Sequence, residues 1–440
     1  MDAALALLVR RGATTLDLSG CRELTCLPES LGQLAALAML GLSCCHALTG
    51  LPESLGELTA LAILNLSWCR TLTGLPESLG RLAALVTLNL SWCRALTRLP
   101  KSLGQLTALT TLDLTSCGAL TYLPESLGQL TALTSLGLRR CIRLTRLPAS
   151  LGQLEALTTL NLSGCDALTG LPESQLTALT TLNLGECAAL MELPARMDQH
   201  TNLISLVLPP CICVLPDWIT RLAVLTTLDF SCCVALSGLP EFLSQLTILI
   251  SLDLSFCYAL SGLPESLGQL TALTSLDLTG CHALTHLPES LGQLAALKTL
   301  YITSCRSLTG LPESLGQLTA LTFLDLSWCG RLTRLPESLG HLAVLSTLDL
   351  SQCHALKRLP FSMTRLPDGL ALYYRNIVST FPPKDVVEQG MPAIKAFLLT
   401  HHHPLKMLYL ILSARRRRMR HPPAELWALI RDEYFMDLFV

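Results

Sequence analysis

The chain has 440 residues, half of them apolar and only 15% charged, which supplies a large buried core and excludes a disordered polymer. Its formal net charge of -2 excludes a global field strong enough to make nucleic acid or an anionic membrane the default partner. Aromatics make up 5% while Leu recurs throughout, so many similar small cores are expected in place of one irregular core.

Residues 1–13 are read as an N-terminal capping segment. Asp2 stands where a signal peptide carries positive charge, and the first apolar run stops at Val9, so no secretion signal is expected. The longest apolar stretch elsewhere, Met407 to Leu412, falls far short of the roughly 20 residues of a spanning helix, so no membrane span is expected.

From residue 14 to 365 the sequence repeats L-P-E-S-L-G-Q-L-T-A-L-T-x-L-D-L-S-x-C-x-A-L-T-x with a period of 24, as from Leu263 to Leu284. One cysteine marks each of fifteen units from Cys21 to Cys353, and two units are shortened by two residues. Within a unit, period-two alternation turns a pair such as Leu276 and Leu278 inward from a short strand and residues 275, 277 and 279 outward. In the L-P-E-S-L-G-Q-L half, Pro begins a short turn, Gly turns the chain back, and Glu forms a solvated acidic ridge.

The units match the leucine-rich-repeat template L-x-x-L-x-L-x-x-N/C-x-L. The expected fold class is α/β: a right-handed horseshoe of about fifteen 24-residue coils, with a parallel sheet on the concave face and short helical or 3-10 segments on the convex face. At about 4.8 Å between strands, the sheet runs roughly 65 to 70 Å, a groove suited to a protein surface more than to a metabolite.

Cys69, Cys93, Cys117, Cys141, Cys165, Cys257, Cys281, Cys305 and Cys329 belong to a structural ladder, in which an inward thiol donates weakly to the backbone of a neighbouring coil. One thiol per coil gives a file of single ligands, so no metal site is expected, and buried reduced thiols indicate an intracellular compartment. Cys26, Cys44, Cys213 and Cys232 have no role that their spacing explains.

The central outward position is mostly Asp or Asn, as at Asp113, Asn161 and Asp277, which reads as a solvated ladder or as an acidic docking stripe. Trp68, Trp92, Phe256 and Trp328 precede ladder cysteines, and Tyr301 and Phe323 lie on the concave face. These scarce aromatics are candidate partner-binding residues, because Trp and Tyr bury much area at little entropic cost; capping of the strand ends is the structural alternative. Unit six interrupts the acidic face with Arg139 and Arg140, followed by Arg143 and Arg146, and Arg94, Arg98 and Lys101 lie two coils earlier; this basic patch either meets an acidic partner or balances flanking Glu residues. Unit nine, with Val207, Pro209 and Pro210, departs furthest from consensus, and a kink is expected there.

Residues 366–440 are read as a helical cap and basic tail, and residues 361–440 hold 11 Lys and Arg against 7 Asp and Glu. A helix from Met391 to Leu399 would cover the last coil, since Phe381 to Leu398 resembles the segment that closes many intracellular leucine-rich-repeat proteins. Arg415, Arg416, Arg417 and Arg418 offer a weak contact to an anionic surface, a nuclear signal or a solvated helix end. Pro422 to Ile430 faintly resembles the opening of an F-box, with only ten residues after it.

Over residues 14 to 365, the L-x-L-S-x-C-x-x-L-x-x-L-P-x-S-L-G-x-L units resemble the repeats of intracellular plant disease-resistance receptors and Ras-group scaffold proteins. That resemblance implies recognition or scaffolding in signalling. It stops at the repeats, because G-x-x-x-x-G-K-[ST] and the kinase signature set are both missing. No Cys follows Cys353 to serve a ubiquitin ligase of the bacterial type, and His401 to His403 reads as a solvated run, so neither enzyme chemistry nor a cofactor is expected. The function expected is a cytoplasmic protein-protein interaction scaffold, with the nucleus open through the basic tail. The alternative is a ubiquitin-ligase adaptor working through the F-box-like segment.

Overall fold

The computed structural model describes residues 12–173, 176–194, 197, 199–376 and 381–400. Sixteen three-residue strands, from β1 (Thr15–Asp17) to β16 (Ala371–Tyr373), form one sheet in chain order, each parallel to the next. The register advances by one repeat per strand, so Leu252 pairs with Leu276 and Leu276 with Leu300. Leu276 and Leu278 are fully buried while Asp277 between them is partly exposed, as the alternation requires.

Each strand is short because its last residue turns the chain. Asp277 Oδ1 accepts a 2.8 Å hydrogen bond from the Thr279 N–H, an Asx turn, and the next residue, Gly280, takes φ 74°. The return half starts at Pro264 (φ -71°) and makes the 3-10 turn Glu265–Gln269, which buries Leu267. Here two expectations are corrected. Gly268 is needed for closeness and not for turning back: a Cβ there would sit 2.6 Å from the Ser290 carbonyl oxygen of the next coil. The Glu residues are not merely solvated. Glu265 Oε2 accepts from Ser290 N–H at 3.0 Å and Glu289 Oε2 from Ser314 N–H at 3.1 Å, so each caps the next coil's turn.

The sheet runs one coil beyond the fifteen cysteine-marked units. The strand Ala371–Tyr373 pairs with Thr347–Asp349, although its coil lacks the ladder cysteine. At unit nine the register continues unbroken from Ser205 to Thr227, while the ridge and the ladder depart from the pattern, because Pro210 has no N–H to offer the next coil and does not take the left-handed conformation. There Cys211 Sγ donates to the Ala188 carbonyl at 2.8 Å in place of the usual Leu, because Pro209 and Pro210 reshape the turn before it.

Two helices close the described chain: α1 (Lys384–Val387) and α2 (residues 391–400). Val387, Met391, Ile394 and Leu398 are buried within the same continuous core as the repeats. Phe397 packs edge-on against Phe381 at 5.3 Å, and Lys395 Nζ donates to the Leu366 carbonyl at 2.6 Å. The end of the solenoid is therefore covered by a helix.

Candidate functional site

The exposed face of the sheet is built by repetition, so its chemistry lies in what each coil places at equivalent positions. In the central outward column the Asp and Asn residues serve the backbone first. Asp113, Asn161 and Asp349 each accept from the N–H two residues on, at 2.9, 3.0 and 2.7 Å. This explains why Asp and Asn interchange there, since both supply the required oxygen. Charge is added where Asp229, Asp253 and Asp277 adjoin in consecutive strands. Burial raises the Asp229 and Asp277 carboxyls above their ordinary range, and neighbouring Asp253 raises both further.

Tyr301 interrupts this polar column, and Phe323, in the flanking column of Thr299 and Thr347 on the adjacent strand, meets it with ring centroids 4.9 Å apart. They are the aromatic pair on the sheet itself. Trp68, Trp92, Phe256 and Trp328 stand instead on a ridge along the carboxyl edge of the sheet, each in the left-handed region at φ 60–64°. The position before the ladder cysteine has this conformation in most coils, because its N–H must reach the next coil. Trp68 N–H donates to the Ser91 carbonyl at 2.7 Å, for example. Gly adopts the conformation without penalty at Gly20, Gly164 and Gly280, whereas a non-glycine residue there carries strain of roughly 1–2 kcal/mol.

The ridge carries two aromatic groups. Trp68 and Trp92 stack at 4.3 Å, with the Arg70 and Arg94 guanidiniums 5.1 and 4.9 Å from the respective ring centroids. Phe256 meets Tyr258 edge-on at 6.3 Å, and Tyr258 stacks on His282 at 4.9 Å. Tyr258, His282 and Arg70 were not singled out by sequence, and Arg94 was read only as part of a basic patch; their signal is that the residue after the ladder cysteine shares the ridge with the residue before it. Trp328 stands further along and is 56% exposed. Arg139 and Arg140 are both exposed, Arg140 on the ridge at φ 56°.

Beneath the ridge the cysteines point inward. Cys69, Cys93, Cys281 and Cys329 donate to the backbone carbonyl of Leu42, Leu66, Leu254 and Ile302 in the preceding coil, at 3.0–3.2 Å. Cys117, Cys141, Cys165, Cys257 and Cys305 repeat the arrangement. Burial pushes the Cys69, Cys93, Cys141, Cys281 and Cys329 thiols up to about 12, and Cys117, Cys165, Cys257 and Cys305 are also raised. Such thiols stay protonated and unreactive near neutrality. All the cysteines are free; Cys26, Cys213 and Cys232 are exposed, and Cys44 and Cys232 occupy the left-handed ridge position. Among the described residues, no three His, Cys, Asp or Glu side chains gather as for a metal ion, and no helix is long and apolar enough to cross a membrane. His401 to His403, Arg415 to Arg418 and the F-box-like Pro422 to Ile430 lie outside the described residues.

Two family matches fall on these coils: a leucine-rich repeat region over residues 13–140 and a leucine-rich repeat over residues 320–342. Among solved structures, a leucine-rich-repeat protein of Leptospira interrogans is 27% identical, with a TM-score of 0.62 over 88% of this chain and 97% of that one. The functional domain of InlJ from Listeria monocytogenes, which includes a cysteine ladder, is 23% identical, with a TM-score of 0.58 over 84% of this chain and 74% of that one. Drosophila Toll in its complex with Spätzle is 20% identical, with a TM-score of 0.62 over 83% of this chain and 54% of that one. The last two likenesses are of fold alone. No curated protein matches the chain significantly.

Proposed function

The chain is a leucine-rich-repeat protein, and from that premise we propose that it is a non-catalytic scaffold that holds another protein against its sheet and the ridge beside it. The observation that carries this reading is the placement of its few aromatics. Tyr301 and Phe323 stand paired on the exposed sheet, while Trp68, Trp92, Phe256 and Trp328 line its edge, where no packing of the core requires them. Aromatic side chains on a rigid, polar, extended surface are the anchors that protein interfaces use. Toll, in the complex with Spätzle, shows that a similar solenoid engages a protein. The setting is proposed to be recognition in intracellular signalling or defence, in the cytoplasm, since a file of reduced thiols suits a reducing compartment.

The test is affinity purification of the intact chain beside a variant with Trp68, Trp92 and Trp328 changed to Ala, folding of both being checked by circular dichroism. Loss of a reproducible protein partner from the folded variant supports the scaffold. Identical partners with both chains would move recognition to another surface, and co-purification of a ubiquitin-ligase subunit lost on Glu425→Lys would favour the adaptor.

A further inference from the structure

The fifth coil is small on the ridge where its neighbours are large. Ser116, Gly118 and Ala119 occupy it, between Trp92 and Arg94 of the coil before and Arg140, Ile142 and Arg143 of the coil after. The outcome is a notch one coil wide, about 460 Å³ in volume, with short residues as its floor and a guanidinium-bearing wall on each side. Its lining contains three arginines and no carboxylate. Among the described residues none of the three arginines is held in a salt bridge.

Arg94 lies over the Trp92 ring at 4.9 Å, which orders the cation without neutralising it. Stacking of a nucleic-acid base needs a free ring face. Here Trp68 stacks on Trp92 at 4.3 Å and Arg94 lies 4.9 Å from the same ring centroid, so the ring is already engaged twice and Ile142 adds the remaining apolar contact. A narrow cationic notch with an apolar wall suits a single charged side chain on a short stem.

We propose that this notch takes an anionic side chain, a carboxylate or a phosphorylated hydroxyl, presented by an acidic segment of a partner protein. Arg94 and Arg143 face it from opposite walls, Arg140 closes the rim, and Ile142 and the Trp92 edge receive its stem. Guanidinium forks bind both kinds of oxyanion through paired N–H donors. The inference rests on the protein-binding reading and names the chemistry of one contact within it.

The experiment measures fluorescence anisotropy of the full chain with short labelled peptides that differ only in a central Glu, phosphoserine, Ser or Lys. The Glu or phosphoserine peptide binds and the Ser and Lys peptides do not, with affinity falling as salt is raised. Arg94→Ala and Arg143→Ala each weaken binding by about tenfold, the loss of one charge-assisted contact. Gly118→Glu abolishes it, because the new carboxylate seats itself between the arginines. A Cβ at Gly118 meets only Ile142, at 3.7 Å, so that variant keeps its fold, and Lys298→Ala serves as a remote control. A phosphoserine peptide bound at least about tenfold tighter than the Glu peptide assigns the ligand to a phosphorylated residue, and equal binding assigns it to a carboxylate. Acidic peptides no tighter than the Lys peptide, or full binding by Gly118→Glu, overturn the proposal. So does a single-stranded oligonucleotide of equal charge that binds as tightly and is lost in the same variants. If only the notch variants behave as wild type while the tryptophan triple variant still loses its partner, the notch assignment fails and the scaffold reading stands.

Discussion

Trp68 and Trp92, at the same position of adjacent coils, stack with ring centroids 4.3 Å apart and planes 5° from parallel, each on a backbone at φ 64°. The stack runs along the solenoid axis, so it couples two coils at the edge of the sheet while leaving both rings partly exposed. Two opposed effects meet here. A left-handed tryptophan costs roughly 1–2 kcal/mol of backbone strain, and an aromatic pair returns about 0.5–1.5 kcal/mol beyond its buried area. A double-mutant cycle with Trp68→Ala and Trp92→Ala is expected to show a coupling of about 1 kcal/mol in urea unfolding. Trp68→Gly should cost less than Trp68→Ala, because glycine relieves the strain that alanine retains. Equal costs would mean that the backbone at this position is unstrained.

The Glu caps on the opposite side of the coils predict a stepwise loss of stability. Glu289→Ala removes the acceptor for Ser314 N–H and is expected to cost about 1 kcal/mol, the usual worth of a turn cap, whereas Glu289→Gln keeps an oxygen and costs less. The pH dependence has a definite sign. Backbone donation from Ser102 and Ser150 lowers the Glu77 and Glu125 carboxyls below their ordinary range. Their contribution is therefore complete above the unfolded carboxyl range and is lost as pH falls through the lowered folded values. Thermal melts of Glu125→Gln should converge on wild type in acid; a constant difference from neutral pH downward would contradict the capping role.

Asp229 and Asp277 have the opposite sign. Burial raises their carboxyls, so ionisation in the folded chain opposes stability above the raised values, and protonation relieves the penalty as pH falls. Asn performs the same turn at Asn161 and Asn183, with donors at 3.0 and 2.9 Å. Asp277→Asn is accordingly expected to raise the melting temperature at neutral pH and to match wild type in acid, where the carboxyl is protonated. A drop in stability at neutral pH would show that the charge itself is needed by the fold.

Thiol labelling separates the ladder from the surface. Cys26 and Cys213 are exposed, whereas Cys93, Cys141 and Cys281 are buried, hydrogen-bonded to carbonyls and raised to about 12. Brief maleimide treatment of the native chain at neutral pH, followed by peptide mass spectrometry, should find label at Cys26, at Cys213 and at Cys21, which is exposed in the first coil, and none at the buried ladder sites. Cys232, exposed but raised by burial and nearby Asp229, should react more slowly than Cys213. Rapid labelling of Cys141 would mean that the coils open on the timescale of the reaction.

The strands and the ladder were legible because each rests on a local pattern, the Leu pair flanking Asp277 and the single Cys281 after it, repeated with one period. The sixteenth coil escaped that search because Asn376 is not followed by a ladder cysteine, although its φ of 60° repeats the ridge conformation. The Glu caps escaped it because Glu265 and Ser290 are 25 residues apart and meet only when coils stack. The recurring Gly at Gly20, Gly164 and Gly280 was the available sign that the ridge position is left-handed. At the candidate site, sequence found Trp68 and Trp92 and read Arg94, Arg139, Arg140 and Arg143 as part of one basic patch. It did not find the notch, which is made by the smallness of Ser116 and Gly118 and so leaves no conspicuous residue to notice.

The most direct test of the scaffold reading is hydrogen–deuterium exchange of the chain alone and in complex with the partner recovered by affinity purification. New protection confined to the strands and the ridge beside them, around Tyr301, Phe323 and Trp328, is the expected result. Protection that falls instead on the 3-10 turns Glu289–Gln293 and Glu313–Gln317, with the sheet unchanged, would contradict it.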